Sequence, residues 1–224
     1  MKKIIIFLIP LFLLAFSSKY TPNLNGYIKN LHCDKVLHKQ AFDICYSCSK
    51  KEPNVVAYDI TKTLLESKHN SRKGLYFHTD YQLPKKCRSY SNNYTHSGYD
   101  RGHNAPNVAF SYDRIIQKQT FLMSNIAPQA KWLNRRYWAK IERLSRYLAV
   151  KYGKVQVITG NCGTKGKLKN NVNIPAYWFK IIQIDNSKMR PIAFLAPNIN
   201  KGMKKAKIKA YQVNILKVKK VCGF

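Results

Sequence analysis

An α+β fold follows from three features of this sequence. Residues 132–152 repeat their apolar side chains at helical spacing, strand-like segments lie on both sides of that stretch, and long aperiodic stretches rich in Ser, Asn, Lys and Tyr separate them. A regular alternation of strand and helix would need comparable helices between successive strands, and only one strong helix is evident. The 224 residues are 45% hydrophobic and 12% aromatic, enough to bury a core, and no repeat or long linker divides them. One domain spanning residues 18–224 is therefore expected.

Residues 1–17 have the layout of a secretory leader. Lys2 and Lys3 precede an unbroken apolar run from Ile4 to Phe16, with Ala15 and Ser17 at the −3 and −1 positions of a cleavage site. The run is interrupted by Pro10 and is shorter than the roughly 20 residues a spanning helix needs. A secreted or periplasmic location is expected, with no stable membrane insertion after cleavage.

Phe42, Ile44 and Tyr46 then alternate as a strand does, and Val55, Val56, Tyr58 and Ile60 follow a turn at 50–54, which predicts a hairpin. Residues 67–95 have little periodicity and read as loop. In the helix at 132–152, Leu133, Tyr137, Ile141, Leu144 and Leu148 form the apolar face, with Arg135, Arg136, Lys140, Arg143 and Arg146 elsewhere. Gly153 ends it. Residues 155–159 read as a buried strand, and 176–184 and 191–196 as two more. The Lys-rich C-terminal stretch interleaves Ile208, Tyr211, Val213, Ile215, Val218 and Val221, so it is expected to be ordered with its lysine ends in water.

Forty Lys and Arg against ten Asp and Glu give a formal charge of +30. That excess excludes a protein built for cationic partners and points to a polyanion, nucleic acid or an anionic membrane surface. A membrane-active protein would need a basic amphipathic helix with a wide free apolar face, whereas the best helix here spends its apolar face on a core. The six cysteines, Cys33, Cys45, Cys48, Cys87, Cys162 and Cys222, all follow the leader, and their even number favours disulfides. Six cysteines allow 15 pairings, and none is assigned. A zinc site from Cys33, His38, Cys45 and Cys48 is a weaker alternative, because only one closely spaced ligand pair is present. A thioredoxin-like centre is weaker still, since that pair opens no helix.

The chemistry concentrates in three segments: Asp100-Arg101-Gly102-His103; Ser124-Asn125 with Pro128-Gln129; and Leu133-Asn134 followed by Trp138 and Glu142. Phosphodiester hydrolysis needs a base to activate water, a cation to absorb developing charge and often a metal on the leaving oxygen. A histidine supplies the first, an arginine the second, and an oxygen ligand such as Asn134 could hold Mg²⁺.

In this order and spacing the three segments resemble the DNA/RNA non-specific endonuclease family, the ββα-metal or His-Me finger nucleases, which includes secreted bacterial nucleases and mitochondrial endonuclease G. The likeness extends over roughly residues 27–224, through Ile174-Pro175-Ala176-Tyr177-Trp178-Phe179-Lys180 and Ala193–Asn198. The resemblance implies a ββα-metal fold with a mostly antiparallel central sheet flanked by helices. It also implies a magnesium-dependent endonuclease, with Mn²⁺ or another divalent ion able to substitute, that cuts DNA and RNA through contacts to the phosphate backbone.

Carried over to this chain, His103 is the general base, Arg101 neutralises charge on phosphorus, and Asn134 is the one direct protein ligand of the metal. On a regular helix the α-carbons of Asn134 and Glu142 stand about 12 Å apart, so Glu142 orients metal-bound water rather than joining Asn134 on the ion. Asn125 fixes local backbone or the histidine. Asp100 has an ion-pairing or capping part, and Trp138 belongs to the core. The family's second phosphate-binding arginine has no matching context, Arg72 and Arg88 being the upstream arginines considered. A histidine base implies activity that rises with pH through the usual imidazole range. The alternative is a catalytically silent, cationic nucleic-acid-binding or DNA-uptake protein. The sequence leaves open an inhibitor protein as a further partner, and the oligomeric state.

Overall fold

The computed structural model describes residues 32–185 and 189–223. The leader expected at 1–17 lies outside the described residues. Along the chain follow β1 (Lys35–His38), β2 (Phe42–Ser47), β3 (Glu52–Thr61), α1 (Lys62–Leu65), β4 (Tyr99–His103), α2 (Arg114–Gln119), β5 (Ile126–Ala130), α3 (Ala139–Tyr152), β6 (Lys154–Cys162), β7 (Gly166–Lys167), β8 (Asn173–Ile174), β9 (Tyr177–Ile184), β10 (Ile192–Pro197), β11 (Gln212–Val213) and α4 (Ile215–Cys222).

Seven strands form the main sheet in the order β1-β2-β3-β6-β9-β10-β11, and each of its ladders is antiparallel. The expected hairpin is β2–β3, but its turn comes earlier than 50–54, because Glu52 and Pro53 already pair with Ser47 and Tyr46. The strands expected at 155–159, 176–184 and 191–196 are β6, β9 and β10. The sheet is covered on both faces, which is why its central strands are apolar almost throughout. Val56, Tyr58 and Ile60 join Val157, Ile182 and Phe194 on the face under α3 and the loops that precede it. Val55, Ala57, Ile158, Phe179 and Leu195 face the other way, onto Val218 of α4. The C-terminal stretch is thus ordered, with Asn214 accepting the Lys217 amide at the start of α4.

Three disulfides join Cys33 to Cys45, Cys48 to Cys87, and Cys162 to Cys222. Cys45 and Cys48 go to different partners, which removes the zinc and thioredoxin-like alternatives. Cys48–Cys87 fixes the end of the long loop after α1 to the hairpin. Among the described residues no helix is long and apolar enough to cross a membrane.

Glu52 is fully buried at the start of β3, where one carboxyl oxygen accepts from Asn173 Nδ2 at 2.6 Å. Burial pushes its pKa up from 4.5 to about 8, against the Asn173 hydrogen bond and the Lys50 charge. A carboxyl whose pKa rises on folding stabilises the fold fully below its unfolded value, and that contribution is lost as pH climbs through the folded value. The melting temperature should therefore fall between pH 5 and pH 8 partly through Glu52, and Glu52→Gln should flatten that fall. Thermal unfolding of both proteins across this interval checks it. An unchanged slope in the variant would place the effect elsewhere.

Candidate active site

The site is built by a second, smaller sheet and the helix after it. In β4, Tyr99 through His103 pair antiparallel with Ala130 through Ile126 of β5. The chain then enters a π-helical turn at Leu133–Trp138 and continues as α3. This strand–strand–helix unit lies on the main sheet through Trp138, whose ring meets that of Trp178 edge-on at 5.6 Å. Asn198 locks it there, donating to the Pro128 and Pro175 carbonyls and accepting the Ala130 amide. Gly102 is needed for the same packing, since an added Cβ would stand 2.5 Å from Gln129 Oε1 and 2.8 Å from the Trp178 ring.

The helix expected at 132–152 is present and ends at Gly153, but its first turn is wound more loosely than a regular helix. A π-helical turn closes i→i+5 hydrogen bonds and is common at functional sites. It changes the relative phase of Asn134 and Glu142 from that of a regular helix, and both side chains line one cavity of about 520 Å³.

His103, Arg101, Asn134 and Glu142 all face that cavity. The His103 ring is walled by Phe77 at 5.3 Å and Phe121 at 5.1 Å, and its Nε2 is buried with no hydrogen-bond partner among the described residues. Burial, and after it the Arg72 charge, lowers its pKa from 6.5 to about 3. Both effects favour the neutral imidazole. The expected rise of activity through the usual imidazole range assumed an imidazole in water.

Arg101 donates to the Ser91 carbonyl at 2.6 Å and lies over the Phe77 and Tyr94 rings. Asn134 Nδ2 donates to Asp100 Oδ2 at 2.9 Å, which commits the amide nitrogen and leaves the Oδ1 oxygen for a cation. Asp100 in turn accepts two hydrogen bonds from Arg135, each 2.8 Å. Its burial is outweighed by these bonds and that from Asn134, and its carboxyl is held below the usual range. Asp100 thus joins an ion pair and orients the Asn134 amide.

Glu142 is half-buried, and desolvation raises its pKa against the charges of Lys180, Arg146 and Arg143. Lys180 is fully buried, donates to the Tyr58 hydroxyl at 2.9 Å and stands over the Trp138 ring. Burial lowers its pKa to about 8, with Glu142 opposing.

Asn125 is not brought to the cavity. It is fully buried, accepts the Ala105 amide, and donates to the Ala105 and Thr120 carbonyls at 2.9 and 2.8 Å. It ties the backbone just after His103 to that at Thr120, and makes no hydrogen bond to the ring. Two residues were missed by sequence reasoning. Arg72, considered without a context, lines the cavity beside His103, and Arg146 stands one helical turn beyond Glu142. The signal for Arg146 was its spacing of four from Glu142, which puts both on one side of a helix. Arg72 lies in an aperiodic loop that offered none.

The oxygen donors on the cavity are the Asn134 and Asn107 amides, the Asp100 and Glu142 carboxylates and the Tyr99 hydroxyl, and no cluster of three His, Cys, Asp or Glu that could hold a metal occurs among the described residues. That set fits a hard cation that takes most of its ligands from water and phosphate, as Mg²⁺ does.

The family model for DNA/RNA non-specific endonucleases matches residues 24–224. The mitochondrial nuclease of Saccharomyces cerevisiae is 30% identical over 184 residues, covering 72% of this chain and 56% of that protein. The human mitochondrial nuclease EXOG is 28% identical over 198 residues, covering 80% and 53%. The chain spans about half the length of the curated relatives it matches. A crystal structure of the EndoG/EndoGI complex matches with a TM-score of 0.78 at 25% identity, covering 90% of each chain.

These relatives overturn the secreted or periplasmic location expected from residues 1–17. The yeast and human nucleases are mitochondrial by name, and a basic start followed by an apolar run is a layout that does not by itself specify secretion. The α+β class, the antiparallel sheet and the ββα unit stand as expected. The match to residues 24–224 runs through every element that builds the cavity, and on that extent the chain belongs to the DNA/RNA non-specific endonuclease family.

Proposed function

We propose that this protein is an endonuclease that hydrolyses phosphodiester bonds of DNA and RNA with little base preference, assisted by Mg²⁺ or a similar divalent ion. The observation that carries the reading is the convergence of a histidine, two arginines, an oriented amide oxygen and a carboxylate on one cavity. His103 accepts the proton of the attacking water, and being uncharged it is ready to do so. Arg101 and Arg72 stabilise the charge that develops on the phosphoryl oxygens. Asn134, with its amide held by Asp100, and Glu142 would hold the metal and its water, and the bound ion would supply charge stabilisation at the leaving oxygen. Contacts to phosphate rather than to base edges account for weak sequence preference. The EndoG neighbour was captured with EndoGI, which supports an inhibitor protein as a partner.

Cleavage of supercoiled plasmid and of RNA, with Mg²⁺ and with EDTA, tests the reading. Metal-dependent cutting of both substrates supports it, and tight binding without cutting in any divalent ion favours the silent nucleic-acid binder.

The acid limb of the pH–rate profile should belong to Glu142 rather than His103. Protonating Glu142 removes its charge, and its raised pKa moves that loss above the ordinary carboxylate range. Lys180→Met removes the buried charge that opposes this rise and should shift the limb to higher pH. A profile unmoved in the Met variant would show that Lys180 does not act through Glu142.

A further inference from the structure

A second groove of about 610 Å³ adjoins the catalytic cavity, and Arg72, Asn107 and Val108 line both. Its walls come from the end of α1, the turn after β4 and the outer face of α3, and they present Leu65, Val108, Tyr147 and Val150. Tyr147 is 59% exposed, Val108 49% and Val150 41%. Single exposed apolar residues need no explanation, but here they gather in one concavity on a chain of charge +30. Arg72 and Arg146 stand at the same groove. His69 adds a wall without a free ring nitrogen, since Nδ1 pairs with Ser111 Oγ and Nε2 with the Leu65 carbonyl, both at 2.6 Å. Asn107 Oδ1, at the seam of the two spaces, has no hydrogen-bond partner among the described residues.

A planar apolar body carrying hydrogen-bond donors and attached to phosphate matches these features. We propose that the groove is a nucleobase subsite, in which the base of a nucleotide next to the scissile phosphate lies against the Tyr147 ring between Val108 and Val150. The inference rests on the nuclease reading and adds to it a binding contribution from an unstacked base. Stacking on an aromatic ring tolerates every base, so such a site strengthens binding without conferring sequence preference. It favours single-stranded substrate, because extracting a base from a duplex costs a few kcal/mol.

The test compares wild type, Tyr147→Ala and Tyr147→Trp on two single-stranded oligomers of equal length. One is oligo(dT), and the other carries tetrahydrofuran in place of every base. Stacking of about 1–3 kcal/mol per base predicts that Tyr147→Ala raises KM for oligo(dT) by about 5- to 150-fold. KM for the abasic oligomer should stay at the wild-type value, and Tyr147→Trp should restore the preference for oligo(dT). An unchanged KM for oligo(dT), or equal losses on both oligomers, overturns the subsite. Fluorescence anisotropy of labelled oligo(dT) is read in parallel. Plasmid and RNA cleavage by wild type decides the nuclease reading separately; if wild type cuts neither oligomer, weaker binding of oligo(dT) but not of the abasic oligomer in Tyr147→Ala still supports the subsite, and equal binding overturns it.

Discussion

His103→Ala should lower the rate of plasmid and RNA cleavage by about 10²- to 10⁴-fold, the usual contribution of a positioned general base. Binding of nucleic acid should remain near wild type, because the arginines and lysines that attract phosphate are untouched. The ring is held by Phe77 and Phe121 rather than by a carboxylate, so its loss leaves a small cavity and no orphaned charge. The fold should survive, and circular dichroism with thermal unfolding verifies that the loss is chemical. Wild-type activity that persists in His103→Ala would remove His103 from the reaction.

Asn134→Ala should cost about 10³-fold, because bound metal contributes several kcal/mol of charge stabilisation and each 1.36 kcal/mol is a factor of ten. A milder loss is expected for Asp100→Ala. That change leaves the amide oxygen in place but frees the amide to rotate, and partners that orient a ligand typically contribute 10- to 100-fold in metal affinity or activity. The distinguishing readout is the Mg²⁺ concentration for half-maximal rate. Asp100→Ala should raise it and recover rate at high Mg²⁺, whereas Asn134→Ala should recover little. Loss of the Arg135 ion pair complicates Asp100→Ala only slightly, because Arg135 is exposed and such pairs contribute little to stability. Equal Mg²⁺ dependence in all three proteins would mean that Asn134 does not hold the ion.

What the sequence disclosed follows from periodicity. The β2–β3 hairpin and the long helix bury faces that recur at two or at three to four residues, β6, β9 and β10 are short apolar runs buried on both faces, and each was legible. β4 and β5 were not. Tyr-Asp-Arg-Gly-His has no alternation, and Ile126–Ala130 is buried throughout and contains Pro128. The four motif residues were found by order and spacing, which is also why Glu142 could be related to Asn134. The π-helical turn that sets their phase left no mark in the pattern of apolar side chains. Arg72 depends on a loop fold, and loop geometry is written in turns and a disulfide that no period announces. The low pKa of His103 belongs to the same class, for it arises from enclosure by Phe77 and Phe121, residues distant in sequence.

The order of strands in the main sheet also bears on how the chain reaches this state. β3 and β6 are neighbours for seven residue pairs, yet about ninety residues separate them in sequence, and that interval holds β4, β5 and α3. The sheet's centre is therefore a long-range contact, whose loop-closure entropy must be met before its pairing is gained. Folding should be slow beside that of a helical protein of equal size. The cavity can form only late, since its floor is the sheet on which Trp138 rests. A nascent chain thus carries all of its catalytic side chains before it can bring them together, and remains inert until β6 and β9, which carries Trp178, have closed against β3.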